Sequence, residues 1–191
     1  MDETNQLIKG RIEENIKVNQ SLLDQVDVIE KLAIAMYECL DLGNKILIFG
    51  NGGSASDAQH IAGELVATLY ERERRGLPAI ALHTNGSTVT AIANDFGYES
   101  VFERQIEAFC SKGDVAIGIS TSGESTNVIK ALQLANDSGA ITVGLTGSRE
   151  SSILEICDMV IRVNSLDTPR IQEAHILIGH ICCEIVEKKI I

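Results

Sequence analysis

The chain reads Lys45-Ile46-Leu47-Ile48-Phe49-Gly50-Asn51-Gly52-Gly53-Ser54, an apolar β-type run that ends in a glycine-rich turn. The pattern returns at Asp114 to Ile119, which is followed by Ser120-Thr121-Ser122-Gly123-Glu124-Ser125. Glycine lets the backbone approach a ligand closely, and the free N–H groups of a following helix, together with Ser and Thr hydroxyls, point donors at an anion. Two such turns predict a site for a phosphorylated small molecule.

Around these turns, short runs rich in Ile and Val alternate with helical segments. This alternation is typical of a parallel sheet with crossover helices, and it predicts an α/β fold. Turns beyond the carboxyl ends of the strands of a doubly wound sheet converge on one crevice, so we expect the two turns to meet. The predicted strands are Ile46 to Phe49, Ala79 to Leu82, Val115 to Ile119, Ile141 to Leu145 and Met159 to Val163.

Helices are predicted at both ends of the chain. Apolar residues recur at spacings of three and four from Leu22 to Leu40, which indicates an amphipathic helix that ends near Gly43 and follows a more polar helix. A last helix is expected from about Arg170 to Lys189. The two N-terminal helices carry more apolar surface than one sheet face needs, so we expect a homo-oligomer.

Composition limits the classes of function. With 191 residues, 45% hydrophobic residues and two prolines, the chain is expected to form one domain. Its net charge of −11 argues against binding of nucleic acid or of anionic lipid. No signal peptide and no apolar run of about 18 residues is seen, which predicts a cytoplasmic protein without a membrane span.

Several residues have a structural interpretation. The five cysteines lack CxxC spacing and lie mostly in apolar segments, so we expect buried thiols without a chemical role. The segment from Tyr70 to Gly76, dense in Arg and Glu, is expected to be a solvated helix end and loop. The first turn lacks the sixth-position glycine of a dinucleotide fingerprint, and no Gly-Lys-Ser/Thr occurs, so no nucleotide cofactor is predicted.

Four histidines are candidates for chemistry. His60 and Glu64 are spaced by four residues on one helical face, which suits either a hydrogen-bonded pair or one divalent metal; their place after the first turn favours a site. His180 lies among apolar residues and could be a satisfied core histidine. His175 is expected on the helix surface or in support of its neighbours, and His83 could face the crevice or cap an element.

Six motifs occur in an order that resembles the bacterial phosphoheptose isomerases of the sugar isomerase (SIS) domain superfamily, and the resemblance covers nearly the whole chain. It implies a three-layer αβα sandwich with a five-stranded parallel sheet of the flavodoxin-like or Rossmann-like kind. Residues 1–191 would form a single SIS domain whose helical extension, 1–43, serves oligomerisation, usually as a homotetramer with active sites between subunits. The motifs are Gly50 to Ser54, His60 with Glu64, Ala91 to Gly97, Gly118 to Gly123, Leu145 to Gly147 and Arg170 to Glu173.

The resemblance also implies an activity: conversion of D-sedoheptulose 7-phosphate to D-glycero-D-manno-heptose 7-phosphate, the first step toward the heptose of lipopolysaccharide. It assigns one zinc ion per subunit to His60, Glu64, Gln172 and His180. Thr168-Pro169 and Ser148-Arg149-Glu150 depart from the family pattern at the rim. Substrate binding is assigned to Asn51, Gly52, Gly53, Ser54, Glu64, Asn94, Asp95, Ser120, Thr121, Ser122, Ser125 and Gln172.

Isomerisation of this kind needs a base that moves a proton between C1 and C2, and our hypothesis gives this role to Glu64, with His180 handling the oxygen proton. A carboxylate bound to zinc is a weakened base, so the two roles of Glu64 are in tension. Gln172 and His180 are eight residues apart, or about 12 Å along one helix. We therefore expect zinc ligands from the last helices of two subunits, or a break in the helix.

Two other classes of function remain open at this point. One is a regulatory SIS protein without catalysis, such as the relative that associates with the bacterial replication initiator. The other is an isomerase or a sugar-binding regulator that acts on another sugar phosphate. The presence of both Glu64 and His180 favours the enzyme.

Overall fold

The structure is a computed structural model that describes residues 2–191. Two N-terminal helices precede the sheet, joined by a 3₁₀ turn at Leu22–Gln25. The helices are α1 (Glu3–Ser21), α2 (Val26–Asp41), α3 (Gly53–Val66), α4 (Gly86–Phe96), α5 (Glu103–Phe109), α6 (Thr126–Asp137), α7 (Ile153–Ile156) and α8 (Thr168–Ile190). The strands are β1 (Ile46–Gly50), β2 (Ala79–Ala81), β3 (Val115–Ile119), β4 (Ile141–Thr146) and β5 (Met159–Arg162).

All five strands form one parallel sheet in the order β2-β1-β3-β4-β5. Successive side chains of a strand point to opposite faces, and the central strands are buried on both faces, as in other parallel sheets. Ile46 and Ile48 lie in one core cluster, whereas Leu47 and Phe49 lie in the other. The predicted strands are therefore confirmed, with bounds that differ by one residue at most.

Helices cover both faces of the sheet and produce three layers. One core cluster joins the sheet to residues of α2, α3 and α8, and the second joins it to residues of α5, α6 and α7. The predicted three-layer αβα sandwich is thus confirmed. Among residues 2–191, no helix has the length and apolar character needed to cross a membrane.

None of the residues of helix α1 is buried. Leu7, Ile8, Ile12 and Ile16 are each about half exposed. This apolar row matches the expectation of surplus apolar surface at the N-terminus.

The cysteines are all free thiols. Cys39, Cys182 and Cys183 are buried, and burial raises the pKa of both Cys182 and Cys183 to about 12. A thiol with so high a pKa is protonated at neutral pH and is a poor nucleophile. This environment agrees with the interpretation of these cysteines as small apolar residues.

Two sequence expectations need correction. The segment from Tyr70 to Gly76 is a mostly exposed loop, as expected, but the Arg74 side chain is only 3% exposed in an ion pair with Glu187. His175 is not on the helix surface: it is fully buried, and its Nε2 lies 3.3 Å from the carbonyl oxygen of Thr146. In both cases packing between distant segments overrode the polar character of the residue.

Candidate active site

The central strands place the two turns at one edge of the sheet. β1 and β3 are neighbours, and the last residues of the two strands, Gly50 and Ile119, are paired in register. The chain leaves β1 toward β2 on one side and leaves β3 toward β4 on the other, so the strand order reverses between them. Ligands of doubly wound sheets bind in the crevice at such a reversal. The structure thus brings the two predicted turns together.

The first turn presents unused donors at the start of α3. Gly52 precedes the helix with φ of +58°, a left-handed conformation that favours glycine, and no side chain caps the helix. The N–H groups of Ser54, Ala55 and Ser56 already donate to the backbone oxygens of Asn51 and Gly52, which leaves the N–H groups at the two glycines, Gly52 and Gly53, for an anion. Ser54, predicted to bind substrate, is 3% exposed.

The second turn is organised by its own hydroxyl groups. The Oγ of Ser120 donates to the Oγ of Ser125 over 2.9 Å and lies 3.4 Å from the Oγ of Ser122. The N–H of Gly123 donates to the Oγ of Ser120. Ser125 precedes α6 without a side-chain cap, so α6 also begins with donors free for an anion. Three of the predicted binding residues are therefore linked in one cluster.

Asn51 connects the first turn to other segments. Its carboxamide forms two reciprocal hydrogen bonds with that of Asn127, each 2.9 Å long, and its Oδ1 also accepts from the hydroxyl of Tyr98 over 3.0 Å. Asn127 lies in the first turn of α6 and Tyr98 lies two residues beyond α4. Neither residue is a candidate from the sequence, because nothing local distinguishes it from other polar residues.

The predicted pair Asn94 and Asp95 lies near the end of α4 and is exposed. The Nδ2 of Asn94 donates to the Oδ1 of Asp95 over 2.7 Å. Tyr98, three residues further on, is the residue that hydrogen bonds to Asn51. This segment is therefore attached to the first turn.

Gln172, in the first turns of α8, lies against the first turn as well. A Cβ atom added to Gly53 would lie 2.5 Å from the Nε2 of Gln172, closer than real contacts allow. The absence of a side chain at Gly53 thus makes room for the Gln172 amide. This position suits a residue that contacts substrate near the anion site.

His60, Glu64 and His180 form a cluster of three possible ligands. The Nε2 of His60 lies 3.1 Å from the Oε1 of Glu64 and 3.3 Å from the Nε2 of His180. One ligand atom from each residue lies within 4.8 Å of the others. His60 and Glu64 share a face of α3, as their spacing predicted, while His180 reaches them from α8.

The fourth predicted metal ligand, Gln172, lies against Gly53, which precedes His60 by seven residues or about 10 Å along α3. Helix α8 runs without interruption from Thr168 to Ile190, so the expected alternative of a helix break is wrong. Eight residues of continuous helix separate Gln172 from His180 by about 12 Å along the axis. Within one subunit, Gln172 and His180 thus lie in different parts of the site.

A groove runs along the exposed face of α3 beside the cluster. Its volume is about 530 Å³, which is large enough for a sugar phosphate. All the residues that line it lie on α3 or in the two residues after it: Ser56, Gln59, His60, Gly63, Glu64, Ala67 and Thr68. One helix therefore supplies the whole lining within this subunit.

A buried ion pair holds the end of α3 against α8. The Glu187 carboxylate, 2% exposed, accepts from the Nε of Arg74, the hydroxyl of Thr68 and the N–H groups of Leu69 and Tyr70. Burial alone would raise the pKa of Glu187, but these donors outweigh it and lower the pKa to about 2. Arg74 also donates to the backbone oxygen of Glu64 over 2.6 Å.

Two further groups near α3 were assigned no definite role from the sequence. Burial raises the pKa of Asp57 to about 6, against a weaker opposing effect of His60. His83, which follows β2, lies with its Nε2 3.3 Å from the Oε1 of Gln59, and burial lowers its pKa. Asp57 lies on α3 itself, the helix that carries His60 and Glu64, and His83 contacts that helix through Gln59.

The chain is similar to known proteins in both sequence and fold. A family model described as the SIS domain matches residues 14–147. The chain is 50% identical over 189 residues to the phosphoheptose isomerase of Aneurinibacillus thermoaerophilus, with 97% of this chain and 95% of the relative covered.

Two solved structures share the fold. A phosphoheptose isomerase from Francisella tularensis superposes with a TM-score of 0.93 at 33% identity, covering 98% of this chain and all of the other. The enzyme from Neisseria gonorrhoeae gives a TM-score of 0.91 at 37% identity, with 97% and 99% covered.

Proposed function

Because the chain belongs to the phosphoheptose isomerases of the SIS domain family, we propose that it converts D-sedoheptulose 7-phosphate to D-glycero-D-manno-heptose 7-phosphate. The observation that carries this proposal is the cluster of His60, Glu64 and His180 beside two donor-lined turns. The turns suit the phosphate of a sugar, and the cluster suits proton transfer at its carbonyl end.

The anion end of the substrate would be held without a lysine or an arginine. The starts of α3 and α6 point N–H groups and partial positive charge at the crevice. The hydroxyl groups of Ser120, Thr121, Ser122 and Ser125 add donors that can turn toward a phosphate oxygen. Binding by short-range hydrogen bonds explains how a chain with a net charge of −11 could hold a phosphate.

The reaction moves one proton between carbons and needs no net oxidation. Glu64 would take a proton from C1 of the open-chain ketose and return it to C2 of the enediolate. His180 would carry the proton that O1 loses to O2, so that C2 gains a hydroxyl group and C1 becomes the aldehyde. Acid–base catalysis by positioned side chains typically contributes about 10²–10⁴-fold to a rate.

The same three residues fit a zinc ion. Two imidazole nitrogens and one carboxylate oxygen are the number and kind of ligands found in catalytic zinc sites, which keep a position open for substrate. When bound, zinc would supply Lewis acidity that stabilises negative charge on the substrate oxygens. Because α8 is continuous, Gln172 lies about 12 Å along the helix from the His180 of its own subunit. It would therefore contribute to the zinc site of another subunit.

The proposal includes a homo-oligomer, with four copies of the chain forming a tetramer. Helix α3 alone lines the groove, so another subunit would supply the facing wall. The exposed apolar row of α1 supports a role in oligomerisation for the helical extension, residues 1–43, of a single domain, 1–191. We place the enzyme in the cytoplasm, at the start of the path to lipopolysaccharide heptose.

The proposal is tested by incubating the purified protein with sedoheptulose 7-phosphate and following the aldose product by NMR. Samples would contain added zinc, a chelator, or a chelator followed by zinc. We expect conversion with zinc, loss of conversion with the chelator, and recovery on re-addition. No consumption of the ketose under any metal condition would contradict the isomerase, whereas conversion that ignores the chelator would contradict only the zinc site.

A further inference from the structure

Asn127 is a buried polar residue to which neither the fold nor the proposed reaction assigns a role. It is 4% exposed, and it lies in the first turn of α6, two residues after Ser125. A buried carboxamide must find hydrogen-bond partners, or it costs free energy. The partner of Asn127 is the carboxamide of Asn51, in the other anion-binding turn.

The two carboxamides face each other symmetrically. Each donates one N–H to the oxygen of the other, and both bonds measure 2.9 Å. Such a pair fixes distance and orientation together, because both bonds keep good geometry only when the two planes are aligned. The turn after β1 is therefore joined directly to the helix that starts after the turn of β3.

Tyr98 completes the arrangement from a third segment. Its hydroxyl donates to the Oδ1 of Asn51 over 3.0 Å, although its side chain is largely exposed. The Asn51 oxygen has two lone pairs, and Asn127 and Tyr98 occupy both. Asn51 thus keeps one side-chain N–H and its backbone N–H for a ligand, held in a single orientation.

We propose that Asn127 and Tyr98 are positioning residues that act through Asn51 to set the spacing of the two anion-binding turns. Neither residue needs to touch the substrate for this role. The inference rests on the proposed function to the extent that both turns bind one phosphate group. Removing either residue leaves the donors of the two turns present, but their spacing is no longer fixed. Binding of a ligand that must contact both turns is then weaker.

The test compares binding of inorganic phosphate, measured by calorimetry, with steady-state kinetics on sedoheptulose 7-phosphate. For Asn127→Ala we expect about tenfold weaker phosphate binding and about tenfold higher KM, as for loss of a buried hydrogen-bonded pair. The kcat should change by about twofold or less, since the acid–base cluster is at the other end of the sugar. Tyr98→Phe, which removes one hydroxyl, should weaken phosphate binding about two- to threefold.

A double-mutant cycle separates positioning through Asn51 from a general effect on the fold. In an Asn51→Ala background, Asn127→Ala should weaken phosphate binding by about twofold or less, because its partner is already absent. Asn136→Ala is the matched control: Asn136 lies on the same helix, is exposed, and donates to the backbone oxygen of Ile156, so phosphate binding should equal that of the wild type.

Wild-type phosphate affinity in Asn127→Ala, or a full tenfold effect that persists without Asn51, would overturn the inference. If Asn127→Ala does not fold, Tyr98→Phe decides, and unchanged phosphate binding in that variant would overturn it. Dependence of phosphate binding on Asn127 in a protein that does not convert sedoheptulose 7-phosphate would support the inference while refuting the proposed reaction. Absence of phosphate binding by the wild type would overturn the inference, and conversion of sedoheptulose 7-phosphate would still decide the proposed reaction.

Discussion

At the scale of single residues, the candidate site depends on a few side chains whose partners are now defined. Glu64 makes two contacts that position it: its carboxylate contacts His60, and its backbone oxygen accepts a hydrogen bond from Arg74. One contact thus holds the carboxylate, and the other holds the backbone that carries it. A base needs such fixed placement, because proton transfer requires hydrogen-bond distance from the reacting atom.

Replacing Glu64 by Gln tests the assignment of the base. Gln has nearly the same shape but cannot accept the carbon-bound proton, so we expect kcat to fall by about 10²-fold or more. Inorganic phosphate should bind as in the wild type, because it occupies the other end of the site. Steady-state kinetics and calorimetry measure the two effects.

The matched control is Glu71→Gln, a change of the same kind at an exposed residue of the following loop. It should leave both measurements unchanged. Turnover near the wild-type rate in Glu64→Gln would remove Glu64 from the role of base.

Gly53 tests the placement of Gln172. A Cβ at this position would meet the Gln172 amide, while the φ of Gly53 is negative, so the backbone itself accepts alanine. We expect Gly53→Ala to displace Gln172 and to lower kcat/KM about tenfold or more, since small misplacements in active sites are costly. The melting temperature should stay close to that of the wild type.

Gly86→Ala is the control for this change. Gly86 also occupies the first position of a helix, α4, and an added Cβ would meet no atom within 4 Å. Wild-type kinetics are expected for it. The same result for Gly53→Ala would show that the position of Gln172 does not matter to the reaction.

At the scale of elements, α8 links three parts of the site. Gln172 near its start contacts the first turn, His180 near its middle meets α3, and Glu187 near its end binds the loop after α3. The spacing of His60 and Glu64 predicted that they share a face of α3, but the arrival of His180 depends on how α3 and α8 pack. The buried Arg74–Glu187 pair secures that packing at one end.

The stability of this pair can be tested by Glu187→Gln. Loss of the charge leaves Arg74 buried without its counterion, and breaking such a pair costs about 3–5 kcal/mol. We expect this loss in the free energy of unfolding at pH 7, measured with urea. Glu184→Gln, which removes an exposed pair with Lys188 on the same helix, should leave the free energy of unfolding close to that of the wild type.

The same pair predicts how stability depends on pH. The pKa of Glu187 is lowered from 4.5 to about 2 in the folded state, so the unfolded state binds the proton first as the pH falls. Its contribution is complete above about pH 4.5 and is lost as the pH falls from there toward 2. The free energies of unfolding of Glu187→Gln and the wild type should therefore differ less at pH 3 than at pH 7. An equal difference at the two pH values would contradict this account.

At the scale of the whole molecule, the proposed homo-oligomer rests on the exposed apolar row of α1 and on the one-sided groove. We expect Ile8→Glu to weaken the homo-oligomer and to lower activity at low protein concentration, because a charge in an apolar interface is unfavourable. Since Ile8 is 52% exposed in the subunit, the subunit itself should still fold.

Sedimentation velocity and activity as a function of protein concentration measure this effect. Glu13→Gln, an exposed polar change on the same helix, is the control and should keep the wild-type assembly. An Ile8→Glu protein that keeps both the assembly and its activity would place the interface elsewhere.

The sequence alone determined the sheet, its helices and the two glycine- and serine-rich turns, because these depend on local periodicity and on backbone freedom. It also predicted that His60 and Glu64 share one face, since that follows from helical spacing. Only the tertiary structure decided that His180 joins them, that α8 stays unbroken, that Arg74 is buried, and that Asn51 is held by Asn127 and Tyr98. These contacts join residues far apart in the chain, and their geometry depends on how whole elements pack, which no local pattern records.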